Sequence, residues 1–124
     1  MDFDLKSLTP SQAAQLAVDG LLVLVPDAAP RGESPLERLA AQAIVAGDLE
    51  SGAGKLLACY RAAGVKAARV VLVRAGDASA SSVRKAVHAG VGALKQPGVH
   101  KLAVVTSLVP VDDVAVRAAV QAVA

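Results

Sequence analysis

The 124-residue sequence has no tryptophan and very few aromatic or cysteine residues. Phe3 and Tyr60 are its only aromatic side chains, so it lacks the aromatic platforms on which single-stranded nucleic acids usually stack. Its single cysteine, Cys59, excludes an internal disulfide framework and a zinc site built from several cysteines. Because Cys59 lies in an apolar segment, we predict a small buried side chain and not a nucleophile.

Long apolar runs and a basic leader are also missing. The start, Met1-Asp2-Phe3-Asp4, is acidic and unlike a signal peptide. The apolar run from Leu21 to Val25 has the length of a strand, far short of the roughly 20 residues that span a bilayer. These observations predict no membrane segment and a cytoplasmic location.

The composition suits one domain over residues 1–124, because 54% of the residues are hydrophobic and 19% are charged. The net charge of +2 is unevenly distributed. Residues 1–62 carry eight acidic and five basic side chains, whereas residues 63–124 carry three acidic and eight basic ones. A basic second half favours an anionic partner, and the alternative is an ordinary solvated surface.

Apolar periodicity and turn residues predict alternating strands and helices. Strands are expected over residues 2–6, 21–25, 55–61, 69–74 and 101–108. Helices are expected after Thr9, after Ser34, after Ser79 and after Asp112 or Asp113. Residues 55–74 should form a hairpin-like pair of strands. This interleaved order predicts an α/β three-layer sandwich with a mixed sheet.

Two of the helices have specific sequence signals. Ser34-Pro35-Leu36-Glu37 is a capping box with proline at the first helical position, and Gly47 is a C-terminal stop. The helix after Ser79 has an apolar stripe at helical spacing, with Arg84, Lys85 and Lys95 off that stripe. The stripe consists of Val83, Ala86, Val87, Gly90, Val91 and Leu94.

Catalytic and metal-binding patterns do not stand out. His88 and His100 are twelve residues apart, and neither has a further ligand at metal-binding spacing. The serines at 79, 81 and 82 lack the Gly-x-Ser-x-Gly pattern and are better explained by helix capping. The segment from Gly52 to Lys55 lacks the remaining residues of a phosphate-binding P-loop. We predict no catalytic residue and no metal or cofactor site in this domain.

Anion binding remains open at two places. The Gly76-Asp77 turn precedes a helix whose free N–H groups could bind phosphate, although the Asp77 carboxylate would repel it. Several basic side chains could contact DNA phosphates if they share one face, although the helix after Ser79 does not look like a recognition helix. The candidates for DNA or anion contact are Lys66, Arg69, Arg74, Arg84, Lys85 and Lys101.

Longer stretches of the sequence resemble a known family. The segments are Gly54 to Ala58, then Gly-Val-Lys-Ala-Ala-Arg-Val-Val-Leu-Val-Arg-Ala-Gly-Asp over residues 64–77, then Val83 to Val87. Together with Ala46-Gly47-Asp48-Leu49, they resemble the N-terminal domain of the leucyl aminopeptidases (cytosol aminopeptidases, aminopeptidase A). Arg74 and Ala75 depart from the pattern, because the family often has glycine and an apolar residue there.

This resemblance implies a macro-domain-like fold and a cytoplasmic parent enzyme that removes N-terminal residues from peptides. It implies a homohexamer with two divalent ions, zinc or manganese, in a separate C-terminal domain. The family's catalytic signature, Asn-Thr-Asp-Ala-Glu-Gly-Arg, is absent here, so no catalytic residue is transferred to this chain. The domain is then expected to serve assembly and regulation. The alternatives are a DNA-binding module that uses the basic second half, or a stand-alone macro-type domain that binds ADP-ribose.

Overall fold

The structure is a computed structural model. It describes residues 2–6, 12, 15–26, 34–50, 52, 54–61, 64–76, 80–94 and 101–105. The strands are β1 (Asp2–Lys6), β2 (Gly20–Val25), β3 (Leu56–Tyr60), β4 (Arg69–Arg74) and β5 (Lys101–Val105). The helices are α1 (Pro35–Ala46) and α2 (Ala80–Leu94).

The five strands form one mixed sheet in the order β1-β5-β2-β4-β3. The pairs β1–β5, β5–β2 and β2–β4 are parallel, whereas β3 runs antiparallel to β4. Parallel neighbours need crossover connections, whereas antiparallel β3 and β4 follow one another closely in the chain. The mixed sheet and the predicted pairing within residues 55–74 are therefore confirmed.

Both faces of the sheet are covered by a helix, which gives three layers. Along β2, Leu22 and Leu24 belong to the apolar core under α2, while Leu21, Val23 and Val25 belong to the core under α1. Every residue of β2 is buried, as expected for a central parallel strand whose apolar run does not alternate. The predicted α/β three-layer sandwich is thus confirmed, while likeness to a macro domain stays a prediction.

Helix α1 begins and ends where its capping residues predict. The Ser34 hydroxyl oxygen accepts the Glu37 backbone N–H at 3.3 Å, and the hydroxyl donates to the Glu37 carboxylate at 2.7 Å. Pro35 occupies the first helical position. At the other end, Gly47 adopts the left-handed conformation, with φ of 79°, that terminates helices.

Helix α2 packs its predicted stripe into the core. All six apolar positions are buried, from Val83 to Leu94, and Arg84 and Lys85 are exposed. The boundaries of β3 are narrower than the predicted 55–61. The backbone N–H of Lys55 donates to the Gly52 carbonyl in a turn before the strand. Arg61, whose backbone is in the left-handed region with φ of 53°, follows its last residue.

Other predictions fall partly or wholly outside the described residues. They are the helices after Thr9 and after Asp112 or Asp113, the Ser79 cap, Lys95, and the end of the strand predicted over 101–108. Within the described ranges, neither helix has the length and apolar character required to cross a bilayer.

Candidate functional site

Arg69 and Lys101, two of the predicted anion-binding residues, begin β4 and β5, the two parallel strands that flank β2, at one end of the sheet. Gly20 of β2 pairs with Arg69 on one side and with Leu102 on the other. Asp19, just before β2, lies between the two bases. Its carboxylate accepts a hydrogen bond from the backbone N–H of Lys101 at 2.9 Å, and its backbone carbonyl accepts one from the backbone N–H of Arg69 at 3.2 Å. An acidic side chain therefore interrupts the positive charge at this end.

Arg84 and Lys85 lie near the opposite end of the sheet. A Cβ added at Gly54 would be 3.3 Å from Lys85 Cγ, and the Gly54 N–H donates to the carbonyl of Arg74, the last residue of β4. Five residue steps along β4 separate its two ends by roughly 17 Å. Lys66 is exposed just before β4, near Arg69 in the chain. The candidate bases therefore lie at two ends of the sheet and not in one cluster.

Arg74 requires a correction, because its side chain is turned into the protein. It is 3% exposed, and its guanidinium donates to the carbonyl of Pro26 at 2.8 Å and to that of Leu49 at 3.5 Å. These bonds fasten the carboxyl ends of β2 and β4 to the segment after α1. A buried guanidinium committed to carbonyl groups is not a surface contact for phosphate, so Arg74 leaves the candidate set.

The other sequence candidates show no assembled chemistry. Gly76 has a positive φ of 62°, as a turn before α2 requires, whereas Asp77, Ser79 and His100 lie outside the described residues. His88 is exposed on α2. Among the described residues, no group of three or more His, Cys, Asp or Glu side chains is placed to hold a metal ion.

Cys59 is half-buried, less enclosed than the sequence predicts. It lies on the α1 face of β3, against the apolar core beneath that helix. Burial raises the pKa of the Cys59 thiol, and the nearby Asp48 carboxylate raises it further. Both effects keep the thiol protonated, so Cys59 lacks the electropositive surroundings of a reactive cysteine.

The sequence analysis missed an exposed surface on β3. Tyr60 is 60% exposed and Leu56 is 36% exposed. Ala58, between them, is exposed too. We call these three residues the β3 stripe. The five residues Leu-Leu-Ala-Cys-Tyr show no polar–apolar alternation, so their alternating exposure follows from the edge position of β3 in the sheet and was not predictable from the sequence.

A shallow cleft lies at the outer side of α1. It has a volume of about 360 Å³ and is lined by Pro35, Arg38, Leu39, Gln42 and Gly64. Arg38 is its one charged side chain, and a single exposed cation does not define a ligand. Nearby, Val45 is 83% exposed on the same helix.

The fold and the placement of these residues define a three-layer α/β domain with a buried arginine and an exposed edge strand. A family model for the cytosol aminopeptidase family, N-terminal domain, matches residues 23–124. The chain therefore belongs to the cytosol aminopeptidase family and corresponds to its N-terminal domain, which confirms the resemblance seen in the sequence.

Individual relatives agree with this assignment. The chain is 48% identical over 124 residues to a probable cytosol aminopeptidase of Polaromonas naphthalenivorans, a match that covers 98% of this chain and 24% of that protein. A probable cytosol aminopeptidase of Albidiferax ferrireducens is 43% identical, with 100% of this chain and 26% of that protein covered. One from Variovorax paradoxus is 49% identical over 98 residues, covering 79% of this chain and 19% of that protein. The chain spans about a quarter of the length of the first two relatives.

Proposed function

We propose that this chain is the non-catalytic N-terminal domain of a cytosolic leucyl aminopeptidase, and that it supports assembly and regulation of the enzyme. The observation that carries the proposal is the match of residues 23–124 to the family's N-terminal domain, together with relatives about four times as long. Removal of N-terminal residues from peptides would then occur in the part of the protein that this chain does not cover.

The divalent ions implied by the resemblance, zinc or manganese, do not fit the residues described here. No group of three potential ligands occurs within the described ranges, and the half-buried Cys59 has a raised pKa that disfavours the thiolate needed for metal binding. We therefore assign the metal ions and the peptide substrate to the remainder of the enzyme and derive no catalytic step from this domain.

An assembly role suits the physical character of the domain. Two apolar cores fix the sheet between its helices, so the domain presents a defined shape to its neighbours. Apolar side chains remain exposed at Val45 on α1 and at Leu56 and Tyr60 on β3. The exposed surface of α1 at Val45 is available for contacts within the homohexamer that the resemblance implies.

A chimera with a relative tests the proposal. Three forms of the Polaromonas naphthalenivorans protein are compared: intact, without the segment aligned to this chain, and with that segment replaced by this chain. We expect the deletion to alter the molar mass of the assembly, measured by light scattering, and the replacement to restore it. Hydrolysis of leucine p-nitroanilide with manganese or zinc is followed in parallel.

The same assay on the 124-residue chain alone provides the second arm. We expect no metal-dependent hydrolysis by this chain. Activity that copurifies with it and survives repeated purification would contradict a non-catalytic role. A replacement chimera that folds but keeps the molar mass of the deletion form would contradict the assembly role.

A further inference from the structure

The β3 stripe lies on the α2 face of the sheet but outside its core. Across the antiparallel pair, Leu56 is opposite Val73 and Ala58 is opposite Val71, and both valines belong to the core under α2. Residues paired in this way project from the same face. None of the three stripe residues belongs to that core, so the apolar surface continues past α2 onto an exposed strand.

The backbone of β3 has one unpaired side in the described part of the chain. β3 is the last strand in the sheet order and pairs with β4 alone. An edge strand presents N–H and C=O groups that accept another strand by continuing the hydrogen-bonded ladder. Its four residue steps span roughly 13 Å, enough to hold an extended segment of similar length.

Cations surround this edge at both ends. Lys55 precedes the strand, and the Lys85 side chain lies over the adjoining Gly54. At the other end, Arg61 follows the strand and the Arg69 guanidinium carbon is 5.9 Å from the centre of the Tyr60 ring. Among the described acidic residues, Glu50 is the nearest to β3 in the chain. Its carboxylate lies 3.7 Å from the Lys55 ammonium, and both side chains are more than half exposed. Such exposed pairs are weak, so another carboxylate can replace Glu50.

This charge pattern selects the kind of partner. A second copy paired antiparallel through β3 and centred on Ala58 would place Lys55 opposite Arg61 of the other copy, and like charges across strands are destabilising. A strand with acidic residues at both ends and apolar residues at alternate positions between them would match both the cations and the stripe. We propose that β3 binds an extended acidic–apolar segment of a partner polypeptide by adding it as a sixth strand.

A designed peptide tests this proposal, which goes beyond the assembly role and does not depend on it. The probe is fluorescein-labelled Glu-Val-Thr-Val-Thr-Val-Glu with an amidated C-terminus. Antiparallel to β3, its valines would lie opposite Tyr60, Ala58 and Leu56, and its glutamates opposite Arg61 and Lys55. The matched control peptide has lysine in place of both glutamates. We expect at least about ten-fold tighter binding of the acidic peptide to the 124-residue chain at low salt, with a smaller difference at high salt.

A charge-reversal variant identifies the surface. In Lys55→Glu combined with Arg61→Glu, the preference should invert in favour of the lysine peptide. The control, Arg38→Glu combined with Lys101→Glu, changes the net charge equally at exposed residues away from β3 and should retain the original preference. Equal binding of both peptides by the unmodified chain would overturn the proposal. It would also be overturned if the Lys55→Glu, Arg61→Glu variant had a native circular dichroism spectrum and still preferred the acidic peptide.

Amide hydrogen exchange distinguishes the proposed partner segment from other possible occupants of the β3 edge. We expect outward-facing amides within residues 56–60 to exchange rapidly in the free chain and slowly with the acidic peptide bound. Slow exchange in the free monomer would mean that the chain covers its own edge, which would overturn the proposal. Protection that appears only with rising protein concentration and dimer formation would assign the edge to a second copy. Displacement of the peptide by an equal concentration of duplex DNA would assign it to nucleic acid.

Discussion

Gly90 of α2 lies so close to Leu22 of β2 that no side chain fits between them. A Cβ added at Gly90 would be 2.5 Å from Leu22 Cδ1 and 2.8 Å from Leu22 Cγ. Leu22 is fully buried in the core under α2, so moving its side chain away would disturb the residues packed against it. The glycine therefore sets the distance at which α2 packs on the sheet.

The substitutions Gly90→Ala and Gly92→Ala should change stability in opposite directions. Alanine is favoured over glycine in a helix by about 1 kcal/mol at either position. At Gly90 this gain is outweighed by overpacking, which typically costs about 1–3 kcal/mol. Gly92 is exposed, and a Cβ there would meet nothing within 4 Å. Urea unfolding should show that Gly90→Ala lowers the free energy of unfolding and that Gly92→Ala raises it. Changes of the same sign in both variants would contradict the close packing at Gly90.

Replacing Arg74 with methionine should destabilise the fold. The substitution keeps much of the side-chain volume but removes the bonds to the carbonyl groups of Pro26 and Leu49. A buried carbonyl left without a donor costs about 1–3 kcal/mol. Arg38→Met, at an exposed position on α1, is the control and should change the free energy of unfolding by less than about 0.5 kcal/mol. If the Arg74→Met protein were as stable as the wild type, the free-energy cost of burying the guanidinium charge would equal the stabilisation from its hydrogen bonds.

Loss of the Ser34 cap should weaken α1. Ser34→Ala removes the hydroxyl that accepts the Glu37 N–H, and such losses typically cost about 1 kcal/mol. Ser34→Thr keeps a hydroxyl and should recover most of the stability. Thermal unfolding followed by circular dichroism measures both variants. If alanine and threonine behave alike, the cap does not stabilise the native state.

Cys59 should react slowly with alkylating reagents near neutral pH. Its raised pKa leaves less thiolate than a free cysteine has, and the thiolate is the reactive form. The rate of iodoacetamide modification should therefore rise with pH through a midpoint above that of free cysteine. Asp48→Asn should lower the pKa of Cys59 and speed the reaction at fixed pH, whereas Glu50→Gln should not. A midpoint at or below that of free cysteine would contradict the burial and charge described.

Local signals in the sequence predicted local structure well. The capping box at Ser34, the stop at Gly47 and the buried stripe of α2 all occur as predicted, because each depends on residues within one or two helical turns. The side chain of Arg74 was misassigned for the opposite reason. Its acceptors are Pro26 and Leu49, which are distant in the chain and meet it only when the sheet forms.

The same distinction explains the candidate surfaces. Lys66 and Arg69 are close in the chain at the start of β4, but Arg84 and Lys85 lie toward the other end of the sheet because α2 begins beside the carboxyl end of β4. The β3 stripe became visible only when the strand order was known. Strand order depends on long crossover connections, about which residue type and periodicity carry little information.

The central position of β2 has a consequence for how the domain comes apart. Alternate residues of this single strand supply both apolar cores, so separating either helix from the sheet exposes a surface that β2 shares with the other layer. The two halves of the molecule should therefore melt in one cooperative transition. The amides of β2 should be the last to open.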